Sequence, residues 1–372
     1  MNPAERLADR IIREHINETF TALQFLAFRN RDILIERSVG SIYINGPGIS
    51  HETPFDLASL TKPLCTTLLV IKAISEGKLS LESRLGELMK STRGHDLEAV
   101  PLFKLLNHTS GLVPWRPWGE EMIRVQGSKI AGSSEAKTAI FNKLLKESLK
   151  HPPAYSDLGF ILLGFLLEHL YVRPLDELCK RFYDSVGLKN IRFIRLKRGT
   201  PLENASLKDP PATRSNPLRG RIQGVVDDDN AFVLGGVAGH AGLFAPARDV
   251  HRIIVLLLES YKGDGPVDQG IIRRFWDYSN RQGTSFVYGF DTPSGETTQA
   301  GKGVPSDAIG HLGFTGTSFW VSPYTGLGSI LLTNRVFFPN TQERIRELRR
   351  KLHGLIWEYF YTDLREDLGV KR

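Results

Sequence analysis

Cysteine is nearly absent: Cys65 and Cys179 are the two in 372 residues. Two cysteines cannot build a disulfide framework. No base sits near either one in the sequence, and Cys65 falls in an apolar run, so it reads as a buried, inert thiol. Long hydrophobic runs are missing too. No stretch reaches 18 apolar residues, which excludes a single-helix membrane span. Residues 1–17 are polar and periodic, with Leu7, Ile11, Ile12 and Ile16 on one stripe. They lack the apolar core of a secretory leader, so a cytoplasmic location is expected. Ten histidines are present without His-Glu-x-x-His or a comparable ligand spacing. No metal site, no organic cofactor and no metallohydrolase is therefore expected. The glycine-dense stretch 235–242 lacks Gly-Lys-Ser/Thr and the Gly-x-Gly-x-x-Gly spacing, which favours tight turns over a phosphate cradle. Positive charge is in modest excess, with a net +7 and a pI near 9.3. Its one concentration, residues 344–352, reads as an amphipathic helix with a solvated basic face. Aromatic side chains do not interleave with those charges as base stacking requires, so nucleic acid is not an expected partner. A small-molecule or peptide substrate remains, and the sequence leaves the oligomeric state open.

What is present has the composition of an ordinary globular protein, with 41% hydrophobic and 24% charged residues. A helix is expected over residues 3–17. Two β runs follow, 20–28 and 33–38, joined by a hairpin turn at 29–32. The pattern from 79 to 175 is mostly helical, including Leu102–His108, Ala136–Leu149 and the strongly apolar Leu158–Tyr171. Residues 196–229 are polar and proline-rich, and read as a long surface loop. A helix with Val250, Ile253, Ile254, Leu257 and Leu258 on one face comes next. Two late β runs, 318–322 and 328–333, and a final helix, 341–361, close the chain. Strands at both ends with helices between predict an α+β fold, an antiparallel sheet with an inserted helical lobe. The sheet-containing lobe would take residues 1–60 and 245–372, and the mainly helical lobe 61–244.

Chemistry concentrates first in Ser59-Leu60-Thr61-Lys62, just before the apolar run Leu64 to Ile74. Positions i and i+3 share a helix face, so the Lys62 ammonium can reach the Ser59 hydroxyl. A serine hydroxyl needs a neighbouring base, and a lysine serves if its surroundings lower its pKa. Alone, the four residues read as a helix cap and a solvated lysine. Two further segments add weight. Tyr155-Ser156-Asp157 opens a buried helix, and His311-Leu312-Gly313 leads through a glycine-rich turn into a strand.

In this order the chain resembles the class C β-lactamase-like serine hydrolases, a group of β-lactamases, D-peptidases and carboxylesterases. The resemblance rests on Asp56–Lys62, on Leu105-Leu106-Asn107-His108-Thr109-Ser110-Gly111-Leu112, on Tyr155–Phe160, on Ala241-Gly242-Leu243-Phe244 and on His311–Gly313. It implies a β-lactamase/penicillin-binding-protein-like fold and hydrolysis of an ester or amide through an acyl-enzyme. Ser59 would be the nucleophile, Lys62 the base and Tyr155 a second acid/base whose phenol needs a depressed pKa or a shared proton network. The backbone N–H groups of Ser59 and Phe314 would form the oxyanion hole. Asp157, His311 and Gly313 would line the substrate site, with His311 giving a hydrogen bond or positive charge near a substrate carboxylate. Two departures stand out. Asp157 replaces the family's asparagine, and a carboxylate there tends to raise the Lys62 pKa. Leu312 replaces a threonine. Both point away from efficient penicillin hydrolysis. A D-amino-acid-specific peptidase and a catalytically silent binding protein are the alternatives.

Overall fold

The computed structural model describes residues 2–198, 209–295 and 298–361. Its strands are β1 (Ala22–Arg29), β2 (Asp32–Gly40), β3 (Phe55–Asp56), β4 (Arg192–Phe193), β5 (Ser215–Asn216), β6 (Gly220–Arg221), β7 (Leu243–Ala245), β8 (Ile309–Leu312), β9 (Ser318–Val321) and β10 (Leu327–Thr333). Five of them form an antiparallel sheet in the order β2-β1-β10-β9-β8. The two ends of the chain thus meet at its centre, where Leu26 of β1 opposes Ile330 of β10. The β1–β2 connection is a two-residue turn, and Asn30 takes the left-handed conformation it needs, with φ 52°.

Both faces of this sheet are covered, and the period-two alternation divides two cores. Ala22, Leu26, Phe28, Phe319, Val321, Ile330 and Leu332 join the large core shared with the helical part. Leu23, Phe25, Ala27, Trp320, Leu327 and Leu331 face the opposite way, against the N- and C-terminal helices. Those helices are Pro3–Arg13 and Gln342–Ile356. The first ends four residues before the expected boundary and buries Ile11 and Ile12 in the smaller core. On the other face, helices Thr67–Ser75, Asp157–Tyr171 and Ala247–Lys262 bury most of their side chains. No single helix among the described residues is long and apolar enough to cross a membrane.

Three expectations change. The run after Ser59 is not one helix. A 3₁₀ turn, Ala58–Leu60, passes into a π turn, Lys62–Thr66, before the α-helix begins. Pro63 has no N–H to offer the carbonyl of Ser59, so the α pattern cannot start there. The basic face of the last helix is not wholly solvated, because Arg349 is buried against the carbonyls of Gly313 and Thr317. Finally, the 196–229 loop contains the β5–β6 hairpin and ends in an N-cap at Asp228, while its residues 199–208 lie outside those described.

Candidate active site

Asp56 and Leu57 fix the turn that presents Ser59. The Asp56 carboxylate accepts the N–H of Ala58 at 2.9 Å and that of Asp227 at 2.7 Å. Ala58 is held at φ 47°, an uncommon conformation for a residue with a Cβ. From the sheet, Thr315 donates its hydroxyl to the Asp56 carbonyl at 2.8 Å, and Thr317 donates to the Leu57 carbonyl at 3.0 Å. Gly313 allows that approach: a Cβ there would sit 2.0 Å from Thr317 Oγ1 and 2.9 Å from the Leu57 carbonyl.

Ser59 Oγ then receives two hydrogen bonds. Lys62 Nζ donates at 2.9 Å and the Tyr155 hydroxyl at 2.8 Å. Lys62 Nζ also donates to Asp157 Oδ1 at 2.6 Å and to the His240 carbonyl at 3.2 Å. The lysine is fully buried, and burial lowers its pKa below the ordinary lysine value against the raising effects of Asp157 and Asp228. Asp157 does pull upward as its charge predicts, but desolvation is the larger effect. Tyr155 moves the other way. Burial, reinforced by Asp157, raises its phenol well above the usual value, so it is neutral near pH 7. Of the two expected alternatives, a depressed phenol or a shared proton network, burial runs against the first, because it disfavours the phenolate.

The Leu-Leu-Asn-His-Thr-Ser-Gly turn places Tyr155. His108 Nδ1 accepts the Ser156 N–H at 3.0 Å, and its ring packs 4.7 Å from that of Tyr155. The Ser156 hydroxyl caps no helix and donates to the Val113 carbonyl instead. The glycine-rich segment serves close packing as expected. A Cβ on Gly239 would lie 2.1 Å from the Phe160 carbonyl, so glycine lets the His240 carbonyl reach Lys62.

Ser59, Tyr155 and Asp157 line a cavity of about 800 Å³ together with His311, Gly313 and Phe314. Ser59, Lys62, Tyr155 and Asp157 are brought together by direct bonds, and His311 stands 6.0 Å from Tyr155, centroid to centroid. His311 carries no charge there. Its Nδ1 donates to the Leu312 carbonyl at 2.8 Å, and burial pushes its pKa down to about 3. Fixed positive charge comes from Arg335 and Arg349 instead. Arg335 donates to the Phe314 carbonyl at 2.8 Å. Among the described residues no acceptor takes the Phe314 N–H. Sequence reasoning put Arg349 on a solvated face and did not single out Arg335, Asp228 or His240. These last two form a pair at 2.8 Å, Nε2 to Oδ1. The consecutive acids Asp227-Asp228-Asp229 were the one available signal. No group of three or more metal-ligating side chains occurs among the described residues.

A sheet covered on both faces, with a Ser-x-x-Lys turn meeting a tyrosine at the edge of a helical lobe, defines a β-lactamase-type serine hydrolase. The chain belongs to the Beta-lactamase family, whose model matches residues 8–353. It is 26% identical over 375 residues to a Salmonella agona protein described as "Putative D-alanyl-D-alanine carboxypeptidase", covering 91% of this chain and 84% of that one. Among solved structures, the β-lactamase/D-alanine carboxypeptidase of Pseudomonas syringae superposes with a TM-score of 0.69 at 17% identity, over 96% of this chain and 99% of that one. The octameric penicillin-binding protein homologue from Pyrococcus abyssi gives 0.70 at 18% identity, over 98% and 81%.

Proposed function

We propose that Ser59 is the acyl nucleophile of this hydrolase. The observation that carries the reading is the double approach of Lys62 Nζ and the Tyr155 hydroxyl to Ser59 Oγ, at 2.9 and 2.8 Å, beside the cavity that Ser59 and Tyr155 line. Lys62, with its pKa lowered by burial, takes the hydroxyl proton as Oγ attacks the substrate carbonyl carbon. The N–H groups of Ser59 and Phe314 receive the developing oxyanion, in keeping with the unused Phe314 donor. Tyr155, a neutral phenol, gives its proton to the departing amine or alkoxide and regains one from the Lys62 ammonium, 4.8 Å from its ring centroid. Water then attacks the acyl-enzyme by the same steps in reverse. Asp157 holds Lys62 in place, while His311 belongs to the edge strand β8 along which an extended substrate lies, and Gly313 follows that strand directly.

A carboxylate-bearing leaving group, as in a D-amino-acid carboxypeptidase, is the second reading. Arg335 and Arg349 favour it. Both are largely buried near Phe314, and no carboxylate pairs with either among the described residues. A fluorophosphonate or a fluorescent penicillin should label the wild type, and Ser59→Ala should abolish the label. A wild type that never labels, and never hydrolyses nitrophenyl esters or D-Ala-D-Ala peptides, would remove the proposal.

A further inference from the structure

The turn from Gly313 to Thr317 joins β8 to β9 and bonds to the nucleophile turn through Thr315 and Thr317. Its carbonyl oxygens are held by two arginines. Arg335 donates Nε to the Phe314 carbonyl at 2.8 Å and its backbone N–H to the Thr315 carbonyl at 2.9 Å. Arg349, on the last helix, donates Nη2 to the carbonyls of both Gly313 and Thr317, each at 2.7 Å. Those two residues are the ends of the turn, and the Gly313 N–H already bonds the Thr317 carbonyl at 2.7 Å. One guanidinium nitrogen therefore holds both ends. The other arm, Nη1, donates to Gln299 Oε1 at 2.8 Å. One helical turn further on, His353 fixes the helix to the sheet. Its Nδ1 pairs with Ser329 Oγ of β10 at 2.7 Å, and its Nε2 with Ser318 Oγ of β9 at 2.8 Å. Positions i and i+4 share a helix face, so the seat of His353 sets where Arg349 meets the turn.

The peptide plane converts this hold into a direction. The Gly313 carbonyl and the Phe314 N–H belong to one planar, trans peptide unit. Its C=O and N–H point opposite ways, so whatever fixes the oxygen also aims the hydrogen. The Gly316 N–H reaches the same oxygen at 3.1 Å. The arginine bond is shorter and charge-assisted, and it is the stronger of the two. A cation on the carbonyl oxygen also polarises the peptide and strengthens its N–H as a donor. We infer that Arg349 is a positioning residue, which orients the Gly313–Phe314 peptide so that the Phe314 N–H meets the developing oxyanion. The inference rests on the proposed acylation of Ser59, in which that N–H is one of the two oxyanion donors. The surroundings of Arg349 fit the role. It is buried, its Nε has no partner, and no carboxylate pairs with it among the described residues. Burial brings its pKa down to about 9, so it remains a cation at pH 7. An unpaired buried cation costs stability. Without it both carbonyls would still keep an N–H partner, from Gly316 and from Gly313. The integrity of the turn does not require the arginine, whereas its orientation does.

Arg349→Met keeps the bulk and removes the donors. The readouts are a thermal melt, fluorophosphonate labelling of Ser59, and the burst of nitrophenolate from p-nitrophenyl acetate, an ester without a carboxylate. The melting temperature should stay close to wild type. The maximal burst and labelling rates should fall about 10- to 100-fold, with the half-saturating ester concentration unchanged. Arg349→Lys keeps the charge but not the two-armed fork, and should fall between the two. A direct contact with substrate gives another pattern: weaker binding confined to D-Ala-D-Ala peptides, with the ester burst intact. That pattern, or a Met variant that acylates at the wild-type rate, would overturn the inference. If Arg349→Met does not fold, Arg349→Lys decides, and a burst at the wild-type rate overturns it. A wild type with neither burst nor label ends the Ser59 reading and this inference with it. A labelled wild type with equally fast Arg349 variants ends this inference alone.

Discussion

At the level of single residues, the site is a contest between burial and charge over two protons. Lys62 and Tyr155 both touch Ser59 Oγ, yet burial moves their pKa values in opposite directions, because it disfavours the ammonium of one and the phenolate of the other. In the proposed mechanism these directions suit Lys62 to the base and Tyr155 to the acid. Tyr155→Phe should cut turnover of an activated ester by about two to four orders of magnitude while the melting temperature stays close to wild type, as steady-state kinetics and a thermal melt will tell. Lys62 must lose its proton to act, so kcat/KM should rise with pH through an apparent pKa below the ordinary lysine value. Asp157 raises that pKa. In Asp157→Asn the rising limb should therefore move to lower pH, and a limb that stays put or moves up would dissociate Asp157 from Lys62. The serine, lysine and tyrosine were legible as a motif, since their spacing alone suggests a nucleophile and its base. The direction of each titration was not, because burial belongs to the folded chain.

At the level of elements, the nucleophile turn owes its shape to partners far away in sequence. Pro63 denies Ser59 an α-helical partner, and the β8–β9 turn supplies Thr315 and Thr317 as hydroxyl donors to Asp56 and Leu57. Gly313 is the tightest point of that junction. Gly313→Ala should destabilise the fold by about 1–3 kcal/mol through overpacking and slow Ser59 labelling, measured by denaturant unfolding and by labelling rate. Labelling at the wild-type rate would mean the strand edge does not set the turn. Hydrophobic periodicity located the Asp157–Tyr171 and Ala247–Lys262 helices well. It placed Arg349 on a wet face, where the structure buries it under the β8–β9 turn, because a pattern of apolar residues does not say which polar side chain will be covered.

Across the whole molecule, the sheet is the partition between a smaller core under the terminal helices and a larger one that continues into the helical part. Ser59, Lys62 and Tyr155 lie on the side of the larger core, and the last helix, seated on the smaller core, reaches the cavity through Ile345 and Arg349. Leu348, fully buried in the smaller core, separates stability from chemistry. Leu348→Ala should cost about 2–5 kcal/mol and lower the melting temperature, yet the protein that remains folded should label at Ser59 as the wild type does. A loss of labelling well below the melting transition would show that the terminal helices shape the site directly.

Sequence alone determined the α+β class and the sheet assembled from both ends, and it singled out Ser59 with Lys62 as the proposed nucleophile and base. Each of these follows from local spacing, alternation or turn chemistry within a few residues. Tertiary structure decided the rest: a neutral His311, an un-ionised Tyr155, Arg335 and Arg349 buried near Phe314, and the pairing of Asp228 with His240. Those properties depend on what surrounds a group in three dimensions, on lost water and on charges brought close by chain segments more than a hundred residues apart, and no local pattern records them.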